Sequence, residues 1–452
     1  MNVLQPTTLP PPEAARVDRI VDRFHRHVGR RPAVVVRAPG RVNLLGEHTD
    51  YNGLPVLPMA IDRSVLIAAA PRADRTVQME NVDARFATRQ FTLANGIAPN
   101  PPGDWGNYVK AAAQGLMPDY GTRLRGGIDA VIDGNVPAGA GLSSSSAVVV
   151  ASALALLAAN DVAPDFHALA ELLPGAERYV GTLSGGMDQA TSLLAQAGHA
   201  LRIDFFPLRV RPVPLPPGYS IVVCHSLIAA EKSGAAKQAY NQRVVECSLA
   251  RRLLEHVLTA AGPVHLHTLG DLVTAFPQRS LLDFVPLLAT RVTAQALAVA
   301  DIATILGADP GQVRTECGAA SEPFAVLRRA RHVLSEAVRV DAAERALHSG
   351  DAGAFGALMN ASHASCRDDY DISCPALEEL VAVAREAGAV GARLTGAGFG
   401  GCTVNLVATH AVEGVLAAID RRFYLPRLSA ATAPAAHRFV FAPEAGATVL
   451  QV

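Results

Sequence analysis

The stretch Gly40-Arg41-Val42-Asn43-Leu44-Leu45-Gly46-Glu47-His48-Thr49-Asp50-Tyr51 concentrates hydrogen-bonding groups. Arg41, Glu47, His48 and Asp50 lie close together, glycines flank them, and the apolar run Ala33-Val34-Val35-Val36 leads in. Such a set at a strand end suits a sugar, which is nearly all hydroxyls. A second segment, Val136-Pro137-Ala138-Gly139-Ala140-Gly141-Leu142-Ser143-Ser144-Ser145-Ser146-Ala147, runs from glycines through serines into an apolar helix. Glycines let backbone approach closely, and a helix start with its dipole attracts phosphate. Serine hydroxyls add donors and can sit on Mg²⁺ beside a phosphate. A simple serine N-cap would need only one of them. There is no G-x-x-x-x-G-K-[ST], so this is not a Walker-type loop.

Two further glycine segments follow. In Gly181-Thr182-Leu183-Ser184-Gly185-Gly186-Met187-Asp188-Gln189 a lone carboxylate follows two glycines. Asp188 is placed to orient or deprotonate a hydroxyl nucleophile. Taken alone, an Asp after Gly reads as a turn or cap. Thr395-Gly396-Ala397-Gly398-Phe399-Gly400-Gly401-Cys402 matches G-x-G-x-x-G, but Thr403-Val404-Asn405-Leu406-Val407 after it reads as a strand. A dinucleotide fingerprint needs a helix there, so a tight turn abutting the active site is expected instead.

The elements that must position these groups follow from periodicity and breakers. Residues 1–12 read as a flexible tail, and Glu13 to Val28 as an amphipathic helix. Strands are expected at Val34–Ala38, ended by Pro39-Gly40, and at Val65–Ala70, Ile128–Ile132, Ala200–Phe206 and Ser220–Val223. Helices are expected from Asn107, over Ala147–Asn160 and Phe166–Tyr179, and later over Asn241–Val257, Phe324–Leu347 and Ala376–Ala387. Residues 262–320 read as mostly helical. The proline cluster from Pro207 to Gly218 is the best boundary, giving an N-terminal domain over 13–211 and a C-terminal one over 212–452. Without a regular βαβ repeat the class is α+β.

Composition narrows the choice. At 452 residues two domains are expected, and half the residues are hydrophobic. A formal net charge of −1 without basic blocks argues against nucleic-acid binding. The lysines are Lys110, Lys232 and Lys237, and all other positive side chains are arginine. A codon bias toward arginine is the plain account. The six cysteines form no C-x-x-C pair and no disulfide framework, which points to a reducing cytoplasm. The N-terminus lacks a signal-peptide pattern, and the apolar run 147–159 is too short to span a bilayer, so no membrane association is expected.

Together the four segments resemble the galactokinases of the GHMP sugar-kinase family, in family order. GRVNLLGEHTDYNG is similar to the galactokinase signature, GAGLSSSSA to the ATP loop, GGMDQ to the catalytic-aspartate segment and LTGAGFGGCT to the C-terminal glycine motif. Ser362 to Tyr370 also matches. The likeness runs from about residue 33 to 410 and weakens between 262 and 320. It implies ATP-dependent phosphorylation of a sugar's anomeric hydroxyl, with ATP and Mg²⁺ as cofactors, in the cytoplasm and as an expected monomer. It implies a ribosomal S5-like N-terminal domain and a ferredoxin-like C-terminal domain with extra helices. Arg41 and Asp188 become the catalytic pair. Glu47, His48, Asp50, Gly185 and Tyr240 bind sugar. Gly139, Gly141, Leu142, Ser143, Ser144 and Ser145 bind nucleotide, with Trp105 near adenine. Ser144 and Glu177 hold Mg²⁺. Arg41 would stabilise charge on the moving phosphoryl group and make Asp188 a weak base, favouring orientation over abstraction.

Three departures shape the expectation. Ser184-Gly185-Gly186 replaces the common Cys-Gly-Ile and is similar to N-acetylgalactosamine kinases. The family's Mg²⁺ acid falls three residues before an aromatic, at Ala176 relative to Tyr179, whereas the acid here is Glu177, a helix rotation of about 100°. Lys232 to Gln238 forms a longer approach to Tyr240, expected as a solvated loop, with Lys232 and Lys237 approaching nucleotide phosphates or the sugar as the alternative. Galactose is the expected acceptor, with N-acetylgalactosamine or arabinose as alternatives and a non-catalytic sugar sensor as a different class. A mevalonate or homoserine kinase is opposed by the Glu47–Asp50 cluster, because those substrates carry fewer hydroxyls.

Overall fold

The computed structural model describes residues 3–4, 11–230, 234–259, 262–292, 295–429 and 431–452. Its strands are β1 (Val3–Leu4), β2 (Val34–Leu45), β3 (Leu57–Pro71), β4 (Thr76–Asn81), β5 (Arg89–Thr92), β6 (Ile128–Gly134), β7 (His199–Asp204), β8 (Arg209–Pro214), β9 (Tyr219–His225), β10 (Gly391–Thr395), β11 (Cys402–Ala408), β12 (Arg438–Phe441) and β13 (Thr448–Gln451). The helices are α1 (Pro11–Val28), α2 (Gly106–Tyr120), α3 (Ser144–Ala159), α4 (Phe166–Glu177), α5 (Met187–Leu194), α6 (Gly234–Thr259), α7 (Asp271–Ala275), α8 (Phe284–Ala289), α9 (Val299–Leu306), α10 (Pro310–Cys317), α11 (Val326–His348), α12 (Ala352–Asp368), α13 (Pro375–Glu386) and α14 (Val412–Ile419). This is an α+β arrangement.

A first sheet has the order β1-β13-β2-β3-β6-β4-β5. α1 covers one face through Val17, Ile20, Val21 and Phe24, the i, i+3, i+4, i+7 stripe of an amphipathic helix. The other face carries the main core, filled by α2, α3, α4 and α5. α3 is apolar on every side and accordingly buried nearly all round. The second sheet, β10-β11-β9-β12, is antiparallel. β9 alternates: Ile221 and Val223 face the core shared with β2 and α11–α12, while Val222 and Cys224 face α13 and α14. That shared core, with Val42 and Leu44 against Val404, Leu406 and Phe355, joins the two halves. α6 to α11 build a helical core beside it.

Three sequence expectations change. β2 does not stop at Pro39-Gly40 but continues to Leu45, because a register shift between Pro39 and Arg41 absorbs the missing proline N–H. The proline cluster is not an open linker: β8 pairs along its length with β7, so a boundary at 211/212 falls within a strand. A two-stranded sheet leaves edges on which proline loses no ladder bond. The last strand, β13, returns to the first sheet and pairs with β2. Within the stretch read as a tail, Val3–Leu4 pairs with β13 and Pro11 opens α1; residues 1, 2 and 5–10 lie outside the described residues. All six cysteines are free, and no helix among the described residues is long and apolar enough to cross a membrane.

Candidate active site

One cleft of 870 Å³ is lined by residues from all four glycine segments and from α6. Its floor begins at the bulge in β2. A Cβ on Gly40 would stand 2.7 Å from the Leu142 carbonyl, so only glycine lets the second segment lie this close. Arg41 N then donates to Leu142 O at 3.1 Å. The Arg41 guanidinium donates from Nε and Nη2 to Asp188 Oδ1, both at 2.7 Å, and from Nη1 to Gly141 O at 2.6 Å. Ser143 Oγ donates to Asp188 Oδ2 at 2.5 Å. The pair expected to be catalytic is thus joined directly, and a serine of the second segment is fixed to it.

This geometry decides the N-cap question. Ser143 precedes α3 in the left-handed region at φ +59°, and its side chain makes no cap bond because Asp188 holds it. The start of α3, with Ser144 and Ser145 on the cleft wall, faces the cavity without a side-chain cap. Gly139 and Gly141, both at positive φ, carry the loop past the turn after β10. A Cβ on Gly396 would meet Gly141 O at 2.7 Å. The G-x-G-x-x-G match is therefore a hairpin turn pressed against the loop. Trp105 is half-buried at the far end, donates from Nε1 to Ala87 O at 3.0 Å and packs edge-on to Phe86. With Pro99, Pro102 and Tyr108 it forms an apolar wall.

Glu177, not Ala176, faces this region. Ala176 packs on Gly115 of α2, while the Glu177 carboxylate accepts from Ser146 Oγ at 2.5 Å and Ser184 Oγ at 2.9 Å. A carboxylate among hydroxyls beside a helix start is an all-oxygen donor set, which suits Mg²⁺. Among the described residues no group of three or more acids, histidines or cysteines forms a cage. Mg²⁺ carried by nucleotide phosphates needs only one or two protein carboxylates.

At the other end lie Asp50, Gly185, Tyr240, Glu47 and His48. A Cβ on Gly185 would come within 2.3 Å of Asp50 Oδ2, so that glycine is required by Asp50 itself. Burial, helped by the neighbouring Asp188 charge, pushes the Asp50 carboxyl up to about 6 against the Met187 N–H. Glu47 is almost sealed: its carboxylate accepts from Asn43 Nδ2 at 2.9 Å, Gly396 N at 3.1 Å and Arg393 Nη2 at 2.6 Å. Burial raises its pKa and the Arg393 charge opposes the rise. A carboxylate offers about four acceptor sites, so roughly one remains toward the cleft.

His48 has both ring nitrogens engaged, Nε2 with Ala397 O at 3.2 Å and Nδ1 with Tyr51 Oη at 2.9 Å. Burial holds its pKa down to about 3, so it is neutral. A carbonyl only accepts; Nε2 therefore carries the proton and Nδ1 accepts from Tyr51. Tyr51 in turn accepts from Tyr370 Oη at 2.6 Å, and Tyr370 from Cys247 Sγ at 3.2 Å. The His48 ring packs on Tyr240 with centroids 5.0 Å apart. Lys237 also lines the cleft; Lys232 lies outside the described residues.

The sequence reading missed the supports of this loop. Glu336 Oε1 accepts from Gly46 N at 3.0 Å and from Ser362 Oγ at 2.6 Å. Burial alone would raise Glu336, but the charges of Arg339 and Arg393 hold it well below the usual range. His332 Nε2 donates to Glu47 O at 3.0 Å, and burial keeps the ring neutral with a pKa of about 4. Arg393 Nη1 reaches Leu44 O at 3.1 Å. The signal for Arg393 was an arginine between apolar neighbours in a strand leading to a glycine turn; α11 gave none, since Glu336 and His332 sit among other charged residues.

Family models match as a galactokinase galactose-binding signature over residues 22–71, a GHMP kinases N terminal domain over 107–196 and a GHMP kinases C terminal over 343–425. A galactokinase of Roseiflexus sp. (strain RS-1) is 40% identical over 398 residues, 87% of this chain and 88% of that protein. A galactokinase of Saccharomyces cerevisiae (strain ATCC 204508 / S288c) is 33% identical across 92% of this chain and 90% of its own. The crystal structure of Lactococcus lactis galactokinase complexed with galactose matches with a TM-score of 0.76 at 26% identity, covering 96% of this chain and 99% of that one. The chain belongs to the galactokinase family of GHMP kinases.

Proposed function

We propose that the chain transfers the terminal phosphoryl group of ATP to the anomeric hydroxyl of galactose, giving galactose 1-phosphate and ADP. The observation that carries this reading is the Arg41–Asp188–Ser143 constellation in one cleft with Asp50 at one end and Trp105 at the other. The galactokinase relatives favour galactose over N-acetylgalactosamine or arabinose. A sensor without catalysis is not favoured, because the ATP loop and Asp188 are intact.

The C1 oxygen attacks the terminal phosphorus, the bond to the bridging oxygen of ADP breaks, and the hydroxyl proton passes late in the transfer to the Asp188 carboxylate. Such transfers depend on positioning and charge stabilisation. Asp188, held by the Arg41 guanidinium and the Ser143 hydroxyl, first orients the hydroxyl. Arg41 stabilises charge on the moving group. Asp50 and the Tyr240 hydroxyl hold sugar hydroxyls, Gly185 allows close approach, and Glu47 offers its remaining acceptor site. His48 positions Tyr240 and the turn at Ala397. The start of α3, with Gly139, Gly141, Leu142, Ser143, Ser144 and Ser145, takes the phosphates, and the Trp105 wall takes adenine. Ser144 and Glu177 would hold Mg²⁺, which when bound neutralises phosphate charge. The six free thiols fit a reducing cytoplasm.

Initial rates with MgATP across galactose, N-acetylgalactosamine, arabinose and glucose test the reading. Galactose should give the highest kcat/KM. No turnover of galactose would remove the proposal.

A further inference from the structure

Arginine replaces lysine almost everywhere in this chain, so the few lysines mark places where arginine was not used. Both described lysines border the nucleotide region. Lys110 donates to Ala98 O at 2.9 Å and Asn100 Oδ1 at 2.6 Å, holding the Pro99–Asn100 stretch that walls the cleft. Lys237 lies in the first turn of α6, one turn before Tyr240, so both project from one face of the helix into the cavity.

Among the described residues, acids outnumber bases around this cleft. Of the bases, Arg41 faces Asp188, and Arg85 pairs with Asp83 at the rim. Lys237 Nζ donates to Val180 O at 2.8 Å, a neutral oxygen. An ammonium has three donors and a full charge, and a carbonyl neutralises none of it. Gly181, at φ +78°, keeps space for it: a Cβ there would stand 2.4 Å from Nζ. A triphosphate entering an acid-rich cleft needs a cation that is not already matched by a carboxylate.

We propose that Lys237 is a catalytic residue that binds the terminal phosphates of the nucleotide. Its ammonium leaves the Val180 carbonyl for β- and γ-phosphate oxygens, keeps its proton and forms no covalent bond. Lysine suits this exchange because a point charge on a flexible stem can change partners, whereas an arginine fork is committed to one geometry. The inference rests on the kinase reading. The competing account is a structural tie from α6 to Val180.

Lys237→Gln separates the two, since glutamine keeps a donor for Val180 O and loses the charge. Binding of ATP and of AMP to the full chain is measured by calorimetry, with KM for ATP and for galactose from initial rates. For Lys237→Gln, ATP affinity should fall on the order of 10-fold or more, AMP affinity should stay within about 2-fold, and KM for galactose should hold. Lys237→Arg should recover part of the loss. Unchanged ATP affinity, or equal losses for ATP and AMP, would overturn the assignment. If the wild-type chain phosphorylates no sugar, the proposed function falls while the ATP-against-AMP comparison still judges Lys237.

Discussion

Arg41 and Arg393 are both buried arginines bonded to a carboxylate, at 2.7 Å to Asp188 and 2.6 Å to Glu47. Their surroundings separate them. Asp188 keeps 11% of its side-chain surface open and lines the cleft, whereas the Arg393 and Glu47 side chains are 0% and 1% exposed. The open pair joins two segments of the N-terminal half and presents a face to the cleft. The sealed pair joins the halves, with Glu336 and His332 holding the same loop from α11. Neighbours in one motif thus differ in how they are held: Arg41 and Asp50 face the cleft, and Glu47 lines it while anchored from behind by Arg393.

The largest effect should come from the open pair. Asp188→Asn keeps shape and removes charge, so turnover should fall by on the order of 10²–10⁴-fold while galactose binding and the unfolding midpoint change little. Initial rates beside denaturant unfolding read both. Near-normal turnover would take Asp188 out of the reaction. The sealed pair should respond in the opposite sense. Arg393→Met takes the charged donor from the buried Glu47 carboxylate and the side-chain donor from the Leu44 carbonyl, and should cost about 3–5 kcal/mol of stability. Glu47→Gln added to it should recover part of that loss. If Arg393→Met instead left stability intact and abolished turnover, the division between the pairs would be wrong.

This division also explains what the sequence could disclose. Arg41, Asp50, Ser143 and Asp188 were legible because each sits beside glycines whose backbone must approach something, and those glycines are local. α1, α3, β9 and β11 were legible from periodicity and apolar runs. Arg393, Glu336 and His332 were not, because a charged residue on a helix or strand looks the same in sequence whether its partner is solvent or a loop some 290 to 350 residues away. The continuation of β2 past Pro39 was hidden for a related reason: a bulge that tolerates proline is stabilised by the Leu142 contact, which is non-local.

Asp50 is buried yet lines the cleft, and its titration sharpens the contrast. Its carboxyl rises from 3.8 to about 6 in the folded chain. Between those values the native state binds more protons than the unfolded one. Stability therefore falls as pH rises through this window and stays lower above pH 6. Asp50→Asn should remove that loss: relative to wild type it should gain up to about 3 kcal/mol at pH 7.5 over its standing at pH 3.5. The wild-type KM for galactose should rise as pH drops below 6, as the acceptor becomes protonated. A KM flat from pH 5 to 8 would mean that the charge on Asp50 does not hold the sugar.

The smallest effect tests the polarity of the chain behind His48. Protons run from Cys247 to Tyr370, Tyr51 and His48, ending on the Ala397 carbonyl. Tyr370→Phe removes the donor to Tyr51 but leaves the Tyr51 hydroxyl free to donate to Nδ1, so the His48 tautomer should persist at a cost of about 1 kcal/mol. Tyr51→Phe strips Nδ1 of its donor and Tyr370 of its acceptor, and should cost more. Denaturant unfolding ranks the two, and ¹⁵N shifts of the imidazole report the tautomer. Neither variant should give His48 an ionisation between pH 5 and 8, because burial, not the hydroxyls, is the main force holding its pKa down to about 3. Equal losses, or a proton moved to Nδ1 in Tyr370→Phe, would reverse the chain and release the Ala397 turn from His48.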